Sequence, residues 1–188
     1  MAEVQNSNPT ILNVADLPTR SRSAVKADDP AGIFAAVPNP ADFLSSDSED
    51  DDLLEEPIDE QEIYDLIKSI SDPEHPLSLG ELAVVSLPDI AIKPTLPIVP
   101  DSPLQTVTVL ITPTITHCSL ATVIGLGVRV RLEQSLPPRF RVDVRIKEGT
   151  HSTGDEVNKQ LGDKERVAAA LENGALMQVI AKMMETCQ

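Results

Sequence analysis

QTVTVLITPTITHCSLATVIGLGVRVRLEQSLPPRFRVDVRI, residues 105–146, is the stretch on which the fold turns. Both of its ends alternate. Thr106 and Thr108 interleave with Val107, Val109 and Ile111, and Phe140, Val142, Val144 and Ile146 interleave with Arg141, Asp143 and Arg145. A period of two in β-branched residues predicts half-buried strands over 105–112 and 139–146. Between them, Leu120, Val123, Ile124 and Gly127 have helical spacing, whereas Val128 to Leu132 alternate like a strand. Local pattern leaves two readings of 116–136: one long helix, or a helix followed by a strand.

Downstream, Thr153 and Glu156 have the spacing of a capping box, which predicts a helix start. Asp163 is a candidate N-cap for a second helix over 164–173, which Gly174 is expected to end or bend. Residues 175–186 read as a last amphipathic helix. Upstream, acids at 59, 60 and 62 sit in what looks like the first turn of a helix. Ile63, Leu66, Ile67 and Ile70 continue it, until Pro73 and Pro76 stop it. Leu79 to Leu87 is apolar enough for a strand. Ile90 to Lys93 suits a short strand, while Pro94, Pro97, Pro100 and Pro103 confine the rest of 88–103 to an edge or an extended loop. Mixed strands and helices over 57–188 predict one small α/β (α+β) domain, a short mixed sheet packed by helices.

The first 56 residues differ in kind. They hold twelve acidic and three basic residues, −9 of the chain's net −15, and seven of the ten positions 47–56 are acidic. Such a segment buries too little apolar surface to offset its ordering entropy, so 1–56 is expected to be a disordered acidic tail. The domain's core must be aliphatic, because only 2% of residues are aromatic and there is no Trp. A net charge of −15 argues against nucleic-acid and anionic-membrane partners, which are bound through Lys and Arg. With no apolar signal core after Met1, no run of about 20 apolar residues and only two cysteines, the expected setting is a reducing one, cytoplasm or nucleus.

Chemistry concentrates at Cys118. It follows a strand and opens a helical pattern, where free backbone N–H groups and the positive dipole end favour thiolate. His117 is adjacent. His75 and His151 sit in loops beside turn residues, so a mixed His/Cys metal site is one reading and ordinary loop histidines the other. One thiolate cannot hold an iron–sulfur cluster, which takes about four ligands; a cluster would have to bridge to another chain or a small thiol. Cys187, near residue 188, is expected to fray. No dinucleotide, phosphate-loop or hydrolase motif occurs.

Ile63–Pro76 (IYDLIKSISDPEHP), Leu79–Leu82 (LGEL), Thr112–Leu126 (TPTITHCSLATVIGL), Gly149–His151 (GTH), Asn158–Leu161 (NKQL) and Asp163–Asn173 (DKERVAAALEN) stand in this order. Together they cover most of 57–188. In them the chain resembles the cytosolic iron–sulfur assembly component 2 family. The resemblance implies that residues 116–136 are mostly one helix and that Cys118 is the reactive cysteine. His117, His75, His151 and Glu74 are then its candidate supporting residues, with any metal at Cys118 transient. It implies an adaptor and not an enzyme. The expected partners are a WD40 propeller subunit, a HEAT-repeat scaffold, client apoproteins and a second copy of the chain, with no stably bound cofactor beyond a transient bridging cluster. A thiol-dependent enzyme using Cys118 and a histidine is the alternative.

Overall fold

The computed structural model describes residues 11–20, 57–99, 102–114 and 118–187. The alternating stretches form strands. β1 (Ile90–Pro94), β2 (Gln105–Ile111) and β3 (Phe140–Ile146) make one mixed sheet in that order, β1 antiparallel and β3 parallel to β2. Register aligns the aliphatic positions. Ile92, Val107 and Val142 face one another across the three strands, as do Ile90, Val109 and Val144, and Ile111 pairs with Ile146. One sheet face is therefore a branched aliphatic ladder, and the other carries Thr106, Thr108, Arg141 and Arg145. Prolines fall where ladder donors are not needed: Pro94 ends β1 opposite Gln105, and the pairing is closed by Thr95 N–H to Leu104 O at 2.9 Å.

β2 and β3 are joined by one helix, α2 (Cys118–Ser135), as a parallel pair requires a crossover. The strand-like alternation of 128–132 has a different cause. Val128, Val130 and Leu132 are buried, and so are Ala121, Ile124, Gly125, Leu126 and Gly127. α2 is wrapped on several sides: the sheet, α1 (Glu60–Ile67), α3 (Gly154–Gly162) and α5 (Gly174–Met183) all pack on it. Its two intervening arginines do not mark a solvated strand face. Arg129 Nη1 donates to Leu161 O (3.1 Å) in the last turn of α3, and Arg131 Nε donates to Leu66 O (3.3 Å) in the last turn of α1. Carbonyls there lack intrahelical donors, and a cation suits the negative dipole end. Gly125 lets α3 come close: a Cβ there would lie 2.6 Å from Leu161 Cδ1.

α1 starts as its sequence suggests, with Asp59 as N-cap accepting from Glu62 N–H, but it ends at Ile67. Four sequence expectations are corrected. Leu79–Leu87 is not a strand. It is a tight turn in which Leu79, Leu82, Val84 and Val85 are all buried and Ala83 takes φ +51°, so its apolar residues serve a folded-back chain and not a sheet face. Thr153 flanks α3 without a side-chain cap. Gly174 opens α5 and does not end α4 (Lys164–Glu172); Asn173 accepts from the Ala175 and Leu176 amides as its N-cap, as Asp163 does for α4. Cys187 is not frayed: it is half-buried against the core, its Sγ 3.6 Å from Ser69 Oγ and its carbonyl 3.0 Å from Arg131 Nη2.

Residues 11–20 also depart from the expectation of a structureless tail. They form a 3-10 turn, Val14–Asp16, and Leu17 is buried. The rest of 1–56 lies outside the described residues. No helix among the described residues is long and apolar enough to cross a membrane.

Candidate functional site

In open α/β sheets, ligands meet the chain beyond the carboxyl ends of parallel strands. Here those ends are Ile111 of β2 and Ile146 of β3. The loop after β2 leads to Cys118, the first residue of α2. The loop after β3 starts level with the end of β2, where Lys147 N–H donates to Ile111 O at 2.9 Å. It turns at Gly149, whose φ of +76° is a left-handed conformation that a side chain would strain, and Thr150 Oγ1 closes the turn on Lys147 O at 2.6 Å. Next comes His151. Asn158, from α3, seals the outer edge of β3 here: its Oδ1 accepts from Ile146 N–H at 2.7 Å.

His151 has a defined tautomer. The Thr153 amide donates to Nδ1 at 3.2 Å, so Nδ1 bears the lone pair and Nε2 the proton. The Thr153 hydroxyl also lies 3.1 Å from Nδ1, which is why it is not free to cap α3. Nε2 is buried and has no hydrogen-bond partner among the described residues, and the same holds for Thr114 Oγ1 in the loop that leads to Cys118. An unmatched buried hydroxyl in the loop after β2 and an unmatched buried donor in the loop after β3 leave hydrogen-bonding capacity in each of these loops. Sequence reading pointed to His151 but misread Thr153 as a cap and gave Thr114 no role; loop position was their only signal. His117 lies outside the described residues.

Glu74 and His75 stand elsewhere. Asp72 Oδ1 accepts from the Glu74 amide (2.8 Å), the His75 amide (2.9 Å) and His75 Nδ1 (3.1 Å), with its side chain 0% exposed. This carboxylate shapes the turn, the Asx-type role that Asp before Pro signals. His75 and Glu74 border a cavity of about 580 Å³ whose far wall is Val179, Lys182 and Met183 of α5. His151 borders a different one, about 370 Å³, with Asp155 and Asn158. His75 and His151 thus share neither a partner nor a cavity. Among the described residues, no group of three His, Cys, Asp or Glu is arranged to hold a metal ion.

Comparison with known proteins adds the ancestry. A family model described as iron–sulfur cluster assembly protein matches residues 60–146. A MIP18 family protein of Saccharomyces cerevisiae is 57% identical over 155 residues, 78% of this chain and 66% of that one. A MIP18 family protein of Schizosaccharomyces pombe is 48% identical over 99% of this chain and 98% of its own. Cytosolic iron–sulfur assembly component 2B of Mus musculus is 53% identical over 132 residues, 70% of this chain and 76% of that one.

Proposed function

Because the chain belongs to the cytosolic iron–sulfur assembly component 2 (MIP18) family, we propose that it works in cytosolic iron–sulfur protein assembly as an adaptor, with Cys118 as its reactive residue. The observation that carries this reading is the 53% identity to cytosolic iron–sulfur assembly component 2B over most of the domain. The position of Cys118 at the start of α2 supports its part in it. An eighteen-residue helix presents unpaired N–H groups and a positive dipole end at its first turn, which favour thiolate over thiol. The cluster is cargo. One thiolate supplies one of its ligands, so the others come from a client, a second subunit or a small thiol. The His151 Nε2–H is a neutral donor suited to an electron-rich sulfur.

The partners in this reading are a WD40 propeller subunit, a HEAT-repeat scaffold and client apoproteins in the cytosol and nucleus, and the chain also pairs with itself. No catalytic turnover of its own is part of it. The test is purification of the tagged full-length chain from cells, beside Cys118→Ala. Alanine keeps helix propensity high, so both proteins are expected to fold and to bring down a propeller and a helical-repeat protein. Clients from cells carrying the variant should lose most of their iron and acid-labile sulfide. Normal clients with Cys118→Ala would remove the cysteine's role, and absence of both partners from the wild-type preparation would remove the adaptor reading.

A further inference from the structure

Residues 11–18 lie along a groove on the domain, and three contacts of different kinds hold them. Leu12 N–H donates to Glu81 O at 2.8 Å. Leu17 is seated with 7% of its surface exposed. Gln61 Nε2, from the first turn of α1, donates to Pro18 O at 3.1 Å. The turn between explains why one side chain goes in and others stay out. Asp16 N–H returns to Asn13 O and Leu17 N–H to Val14 O, so the chain reverses over three residues. Leu17 then points to the domain, while Ile11 and Val14 remain 64% and 67% exposed.

The fit is incomplete. A cavity of about 310 Å³ remains between Val14 and Leu17 on one side and Lys68, Ser69, Ser78 and Glu81 on the other. Ser71, Pro76 and Thr186 line both this space and the larger cavity at Asp72 and His75, so the groove continues past the seated segment. One buried leucine, one backbone–backbone hydrogen bond and one bond from the Gln61 side chain return little against the ordering entropy of eight residues. Covalent attachment to the domain, which raises the local concentration of the segment, makes up the difference. A ligand with one anchor, in a groove larger than itself, is exchangeable.

We propose that this groove is a peptide-docking site, that residues 11–18 occupy it in cis, and that a partner protein's peptide of the same chemistry displaces them. Such a peptide enters with a backbone N–H for Glu81 O, makes a single 3-10 turn, and ends in Leu-Pro, with the leucine buried and the proline carbonyl on Gln61. The larger cavity beyond gives a longer partner peptide contacts that the cis segment lacks.

The test uses the full ¹⁵N-labelled chain and a synthetic peptide of residues 9–20. Leu17→Asp should vacate the groove, because a carboxylate cannot replace a buried leucine. Leu12→Pro should do so independently, because it removes the N–H that meets Glu81 O. Both changes lie outside the domain core, so folding of 57–188 is preserved. On titration, both variants should show shifts at the Leu79–Leu82 amides and the Gln61 side-chain amide. Wild type, its groove already filled, should need at least ten-fold more peptide. A peptide carrying Leu17→Asp should shift nothing. Absence of shifts in both variants, or equal affinity for wild type and variants, would overturn the proposal.

Discussion

The Arg131 guanidinium serves two separate segments at once, donating to Leu66 O at the close of α1 and to Cys187 O beyond α5. Replacement by Met keeps the apolar stem and removes both bonds. Hydrogen bonds from a charged group are worth about 1.5–3 kcal/mol, so Arg131→Met should lower stability by about 2–3 kcal/mol in urea denaturation. A loss under about 0.5 kcal/mol would put it among ordinary surface changes. Glu81 gives a pH signature. The Ser78 hydroxyl and amide both donate to its carboxylate, and these bonds hold its pKa below the usual carboxylate range. A carboxyl lowered in the folded state adds stability that is present above its unfolded value, ~4.3, and is lost as pH falls through the lower folded value. Glu81→Gln should therefore flatten the acid limb of the stability profile below pH ~4 while leaving its neutral plateau nearly level. An unaltered limb would assign acid sensitivity to other groups.

Helix ends separate cap residues that work from one that only looks like a cap. Asp163 and Asn173 each accept two amides, so Asp163→Ala and Asn173→Ala should each cost about 1 kcal/mol. Thr153 was read from the sequence as a cap of the same kind, but its hydroxyl is turned to His151. Thr153→Ala should cost α3 less than about 0.5 kcal/mol, and parallel thermal melts of the three variants would show the contrast. The same elements show what was legible in the chain. Strand alternation at 105–112 and 139–146 was readable because one sheet face is buried and the other open. The single helix α2 (Cys118–Ser135) was not readable from local pattern, which left two readings that only the family resemblance decided, because α2 is enclosed on several sides and its arginines reach neighbouring helix ends. Leu79–Leu87 misled for a related reason: a run of buried aliphatics looks the same in a turn folded on itself as in a strand. At the candidate site, Cys118 and His151 were visible as residue types at loop ends. The partner that sets His151's tautomer was not, since that contact depends on a loop path no local pattern encodes.

At the scale of the molecule, exposed apolar surface gathers on the β1–β2 connection, where Ile98 is 92% exposed and Leu96, Val99 and Leu104 are also open. Single exposed hydrophobics are ordinary, but four on one connection predict association through this segment. Replacing Ile98 and Val99 by Ser should reduce concentration-dependent association in light scattering. The melting transition should move little, because neither side chain is part of the core. A net charge of −15 acts in the opposite direction, keeping copies apart at low salt, so the effect should be larger at high ionic strength.

The ties between residues 69–71 and 183–187 bear on how the chain is made. Ser71 N–H reaches Met183 O at 2.9 Å, Thr186 Oγ1 reaches Ser69 O at 2.6 Å, and Arg131 waits for the Cys187 carbonyl. The first two contacts join positions more than a hundred residues apart in the order of synthesis, and the third joins positions 56 apart. The β1–β2 hairpin and the β2–α2–β3 crossover are complete once residue 146 has left the ribosome. The Ser69 carbonyl and Ser71 amide, just past α1, and the outer nitrogen of the Arg131 guanidinium on α2 gain these partners only when residues 183–187 follow. The flank formed by residues 69–71 and Arg131 is therefore completed last in synthesis, and it stays open until residues 183–187 have emerged.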